Sequence, residues 1–172
     1  MDSVDGLFLD YSARKLRQLG GRIVECLGRL NAEQVWARGS QSENAVGNLV
    51  FHLCGNARQW IVSGVGGQPD LRQRDAEFAA RRGSDAAGLA ELLRHTVDEA
   101  AGVIDGLTAR RLTERITIQN YDVTVLEAIY HVVEHFAGHT GQIIFATKML
   151  TGEDLGFYRH LKTTVEHSEQ TP

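Results

Sequence analysis

Proline is nearly absent from this chain. Only Pro69 and Pro172 occur in 172 residues, so little in the sequence interrupts long helices. Cysteine is equally scarce. Cys26 and Cys54 are too few for a disulfide framework, and neither has a CxxC partner, so both read as core thiols of a reducing compartment. Basic residues are outnumbered. The net charge of -4 gives no electrostatic footprint for nucleic acid, which needs a basic face. No apolar run approaches the ~20 residues that span a bilayer. The opening "MDSVDGLFLDYSARK" has neither the basic start nor the apolar stretch of a signal peptide. These absences lead us to expect a cytoplasmic protein with no membrane or nucleic-acid partner.

What is present is helical periodicity. One domain over 1–172 is expected, with four amphipathic segments. The first covers about 4–30, with Leu9, Leu16, Leu19, Ile23, Leu27 and Leu30 on one stripe. Gly20 and Gly21 predict a kink there or close packing against a neighbour. The second covers about 41–63, opened by a Ser40/Glu43 capping box and closed by "SGVGG". The third covers about 84–106, with Ser84 as N-cap. The fourth covers about 124–151, with a Thr124/Glu127 capping box and a stripe through Leu126, Ile129, Val133, Phe136, Thr140, Ile143, Thr147 and Leu150. Between the second and third lies a long charged loop. Before the fourth, "TERITIQNYDV" suggests a short extended pair around "QN". Together these predict an all-α four-helix bundle, an architecture that builds metal sites from facing helices.

The last segment holds "HVVEHFAGHTGQI", with His131, His135 and His139 spaced by four. Each helical residue turns the chain ~100 degrees. Measured from the centre of the apolar stripe, His139 lies roughly 80 degrees away, His135 roughly 120 and His131 roughly 160. His135 and His139 therefore form the inner i, i+4 pair, and His131 turns towards solvent. The second segment carries a polar line of Asn48, His52, Asn56 and Gln59 beside its stripe, with His52 at an angle like that of His135. A solvated helix face explains either set alone. A site of His52, His135 and His139 explains both together, and three ligands with an open position are usual for a catalytic metal. His95, His160 and His167 lie in less suitable places, on a stripe edge or in the polar C-terminal tail.

These motifs resemble the DinB-like (YfiT-like) superfamily of metal-binding four-helix bundles. The likeness rests on "HLCGN" at 52–56 and "HTGQI" at 139–143 after a histidine four residues earlier. The stretches "LVFHLCGNARQWI", "PDLRQRDAEF" and "TGEDLGFYRHL" resemble a branch of that superfamily of unknown function. The resemblance implies a divalent metal, often zinc or nickel, held by His52, His135 and His139, with His131 outside the ligand set. It also implies an up-down-down-up-type bundle, a homodimer, and relatives that use low-molecular-weight thiols in S-transfer or isomerisation.

From this follow the chemical expectations. A small-molecule substrate meets a thiol activated by the metal, or water in a hydrolase, or the metal serves only a structural or binding role. Asn48, Asn56 and Gln142 are candidates to orient bound groups or the outer nitrogens of the histidines. The run "DLRQRDAEF" reads first as a solvated face, with Arg72 and Arg74 as alternative receivers of an anionic group.

Overall fold

The computed structural model describes residues 3–159. Helix α1 spans Val4–Leu27 and is followed by a short α2, Ala32–Val35. Helix α3 spans Val46–Ala57 and runs on without a break into a π-helical segment, Arg58–Val65. A short α4, Arg74–Ala79, precedes α5, Ala86–Asp105. A 3₁₀ turn at Ala109–Thr113 leads to strands β1, Arg115–Ile118, and β2, Tyr121–Thr124, and then to α6, Val125–Thr151. Helix α1 packs on α5 and α6, and α3 packs on the same two. Thus α1 and α3, consecutive long helices, face each other across the diagonal of a four-helix bundle. No helix among the described residues is long and apolar enough to cross a membrane.

The apolar stripes explain the packing. Leu9, Leu16, Leu19, Ile23 and Leu27 of α1 are buried, as are Val46, Leu49, Val50, Leu53 and Ala57 of α3. Helix α1 does not kink at its glycine pair. Gly20 lies against Val97 of α5, where a Cβ would come within 2.9 Å of Cγ2, so its bare backbone lets the two helices close. "QN" makes the tight end of the hairpin. Gln119 and Asn120 both have positive φ, 51° and 66°, as a two-residue turn of matching twist requires.

Three local expectations are corrected. Ser40 and Glu43 do not cap α3, because Glu43 turns back to accept from the Gly39 N–H at 2.7 Å. The helix begins at Val46, where Asn48 supplies the reciprocal bond to the Ala45 N–H at 3.1 Å. At α5 the cap is Asp85, which accepts from the Gly88 N–H at 2.8 Å, and Ser84 lies one residue outside. The expected Thr124/Glu127 box at α6 is present, with the Thr124 N–H donating to Glu127 Oε2 at 2.6 Å.

The third correction matters for function. The buried face of α6 is Val125, Ala128, Ile129, Val132, Phe136, Thr140, Ile143 and Thr147. Leu126 is 40% exposed and Val133 only half-buried. The core direction is therefore turned roughly 30 to 40 degrees from the sequence stripe, towards the histidines. The cause is a small residue: Ala128 packs inward while the larger Leu126 and Leu150 do not. His131, expected to face solvent, is half-buried instead.

Candidate metal centre

Helix α3 brings His52 to the bundle interior, where it is only 7% exposed. Helix α6 brings His135 and His139 to the same place from the opposite wall, both half-buried. One ring nitrogen from each of the three lies within 4.8 Å of the others. The rings meet edge to face, with centroids 4.9 Å apart for His52 and His135, 5.2 Å for His52 and His139, and 4.5 Å for His135 and His139. His52 Nε2 and His135 Nε2 are 2.9 Å apart. Two neutral imidazoles can share that distance only if one ring donates its N–H to the other's lone pair.

The outer nitrogens are held. His52 Nδ1 lies 3.1 Å from Glu77 Oε2. Arg72 Nη2 lies 3.1 Å from the same Nδ1; with the proton on Nδ1 the ring donates to Glu77 and leaves its Nε2 lone pair facing the other histidines. His139 Nδ1 donates in the same way to Gln142 Oε1 at 2.8 Å. Carboxylate or amide acceptors on the far nitrogens are the usual support of a metal-binding imidazole.

Glu77 is itself anchored. Arg72 grips it with two bonds, Nε to Oε1 at 2.7 Å and Nη2 to Oε2 at 2.8 Å. The Arg72 side chain is only 4% exposed. Its Nη1 donates to Gln59 Oε1 at 2.9 Å. Burial alone would raise the Glu77 carboxyl, but the hydrogen bonds from Arg72 and His52 outweigh it and hold it below the usual carboxylate range. Gly55 makes room for this pair. A Cβ there would run into Glu77 Oε1 and come within 2.9 Å of Arg72 Nε.

The charge run is therefore split: Asp70, Arg74 and Asp75 are exposed, and Arg72 and Glu77 turn inward. Arg72 faces inward and pairs with Glu77 rather than offering itself to an anion. Arg74 is exposed, and its guanidinium lies 5.1 Å over the Phe78 ring, which in turn lies 4.8 Å from His52. Asn48 is fully buried and touches no histidine. Its Nδ2 donates to the carbonyls of Glu77 at 2.8 Å and Ala80 at 2.9 Å, and its Oδ1 accepts from Arg38. It pins the segment that carries Glu77. Asn56 Nδ2 lies 3.3 Å from His131 Nε2, so Asn56 supports His131 and not the three-histidine cluster. The His131 ring stacks 4.1 Å from Trp60 and 5.5 Å from His135.

Sequence reasoning missed Glu77, Gly55 and Phe78. The available signal was an acid beside an aromatic in "RDAEFAA", Glu77 and Phe78 between alanines.

Electrostatics keep the histidines of α6 uncharged. Burial, then the nearby His139, His52 and His131 and the Arg72 guanidinium, push the pKa of His135 down to about 3. Burial lowers His139 and His131 as well, partly offset at His139 by Gln142 and at His131 by Glu134. These three imidazoles are neutral at pH 7. On the solvent side a cleft of about 340 Å³ opens onto the ladder, lined by His131, Glu134, His135, Gly138, His139 and Gln142. Glu134 points away from the three-nitrogen cluster yet borders its entrance.

The family described as "Protein of unknown function (DUF1572)" matches residues 4–161. No curated protein matches the chain. Two solved structures share its fold. A conserved protein from Enterococcus faecalis is 16% identical, with a TM-score of 0.68 over 84% of this chain and 97% of its own. A DinB-like protein, YjoA, from Bacillus subtilis is 15% identical, with a TM-score of 0.67 over 86% of this chain and 96% of its own.

Proposed function

Given that the chain belongs to the DUF1572 family, within the DinB-like superfamily of unknown function, we propose that it binds one divalent cation, zinc or nickel, through His52, His135 and His139. The observation that carries this is the convergence of three nitrogens within 4.8 Å, with the far nitrogens of His52 and His139 each donating to an acceptor. Among the described residues the donor set fits the group: three imidazoles, with no thiolate and no fourth side chain in the cluster. Structural zinc sites usually close with four protein ligands, so three favour an open site.

We infer further that the protein is a metal-dependent enzyme acting on a low-molecular-weight thiol and an electrophilic small molecule. A cation ligated only by neutral imidazoles keeps its full charge and lowers the pKa of a thiol that reaches it. The chain's own groups do the rest. Glu77 and Arg72 fix the His52 ring, Gln142 fixes His139, and the 340 Å³ cleft admits the reactants. Hydrolysis is the second reading, favoured by the openness of the cleft to water.

Metal analysis tests the first step. Wild type purified with zinc or nickel present should carry close to one equivalent, and His139→Ala should carry little. A metal-free wild type under those conditions would sink the proposal. Electrophiles screened with and without thiols then separate transfer from hydrolysis. Turnover that ignores added thiol would refute the thiol reading.

A further inference from the structure

Behind the Arg72–Glu77 pair, away from the histidines, lies a second and larger cavity of about 520 Å³. That is within the range of small-molecule sites, roughly 300–1,000 Å³. Its walls come from α3 and its π-helical extension, the 66–73 loop, α4 and α5. Phe51, Val62, Leu71, Ala76 and Leu92 give it an apolar lining. Leu71 stands 84% exposed at the rim, an apolar side chain with no cover from the chain itself.

The floor is built from buried charge. Gly55, Arg72 and Glu77 form it, and the same Glu77 carboxylate holds His52 on its other side. Every charged group on the lining already has a partner. Arg72 pairs with Glu77, Arg58 with Glu99 at 2.8 Å, and Asp70 accepts from Gln59 at 2.7 Å and from the Arg72 N–H at 3.0 Å. Asp70 alone lacks a counter-charge, and it is exposed to water. An anionic ligand would lose its water without gaining a free counter-charge. Arg72 has five N–H donors; its bonds to Glu77 and Gln59 use three and a fourth faces His52 Nδ1 at 3.1 Å, so one on Nη1 is left for a neutral acceptor.

We propose that this cavity is a second ligand site, for a neutral and largely apolar small molecule with a hydrogen-bond acceptor at one end. We infer also that its occupancy is linked positively to cation binding. The link is Glu77. Helix α4, which carries it, is only six residues long and has no side-chain cap. A ligand packed on Ala76 and over the Arg72–Glu77 pair would hold α4 in place and shield the bond that orients His52. Linkage then makes the effect reciprocal. The second site can exist without the metal reading; the linkage rests on it.

The neutral fluorophore N-phenyl-1-naphthylamine is the probe. It should bind the metal-free full chain saturably, at one equivalent, and bind His139→Ala equally well. Ala76 is exposed on the cavity wall, so Ala76→Trp fills the space without disturbing packed neighbours, and it should weaken the probe at least tenfold. Leu71→Ser, at the exposed rim, should weaken it about threefold. Unsaturable fluorescence in wild type, or two variants that bind like wild type, would overturn the site. Saturating probe should tighten zinc at least threefold in competition with a chelating indicator. Unchanged zinc affinity would overturn the linkage. A chain that binds the probe and no zinc defeats the metal reading and the linkage while leaving the cavity site standing.

Discussion

The two halves of the histidine cluster are built differently. On α3, His52 is nearly closed off from solvent and backed by a carboxylate that a buried arginine clamps. On α6, His135 and His139 are half-buried and border an open cleft, and His139 leans on the exposed amide of Gln142. One half is a fixed anchor and the other a working face. Rigidity sits where one ligand must be aimed alone; access sits where two ligands on one helix aim each other. Their i, i+4 spacing already sets the distance between them.

The strongest test of this contrast is removal of ligands from each half. His52→Ala and His139→Ala should each lower zinc affinity on the order of 100-fold or more, beyond the ~10–100-fold typical of supporting residues. Isothermal titration against a competing chelator reads it. Retained affinity in either variant would break the three-nitrogen site. Next comes the anchor itself. Glu77→Ala leaves Arg72 charged, buried and unpaired, a loss of about 3–5 kcal/mol in comparable cases. Urea denaturation of the metal-free protein should show it as a clear fall in midpoint. An unchanged midpoint would mean that the pair contributes no rigidity.

Acid should weaken the α6 half first. His135 is held near pKa about 3 in the fold, against 6.5 when unfolded, because burial and its histidine neighbours disfavour the charged ring. The unfolded chain thus binds more protons below pH 6.5, so folding stability of the metal-free protein falls as pH drops from 6.5 towards 3. His139 and His131 are lowered too and act in the same direction. Glu77 is also lowered, so its share is present above its ordinary value of 4.5 and lost below it. Thermal melts of the apo protein between pH 8 and 5 should be flat above about 7.5 and decline below 6.5. A melting temperature that rises on acidification would contradict neutral, desolvated histidines.

Much of this was legible in the sequence, and the part that was not has a physical cause. The four stripes appear because each helix buries one face, and a 3.6-residue period survives in any such segment. The histidine angles converged for the same reason. The turn of α6 was hidden because apolar volume was taken as the measure of burial. Close packing accepted Ala128 and turned Leu126 outward. Glu77 was hidden more deeply. A charge run in a loop carries no period, and only its tertiary place against Gly55 shows that Arg72 and Glu77 face inward. Ser40 misled because a capping pattern is local, while α3 starts where Asn48 can serve both its cap and the Glu77 segment.

The smallest expected effect sharpens the contrast most. Gln142→Ala removes one exposed acceptor from His139 Nδ1, and water can replace it at the open cleft. Zinc affinity should fall only a few-fold. Glu77→Gln keeps an acceptor behind His52 but removes the charge that Arg72 clamps, in a buried site where water cannot restore it, and the loss should lie within ~10–100-fold. The two residues bear the same formal relation to their histidines, one hydrogen bond to Nδ1 each. Only burial and charge separate them. Side-by-side zinc titrations of the two variants therefore measure what the closed half contributes beyond the open one. Equal losses would mean that His52 is no more firmly held than His139, and that Arg72 and Gly55 serve the packing of α4 on α3 rather than the aim of a ligand.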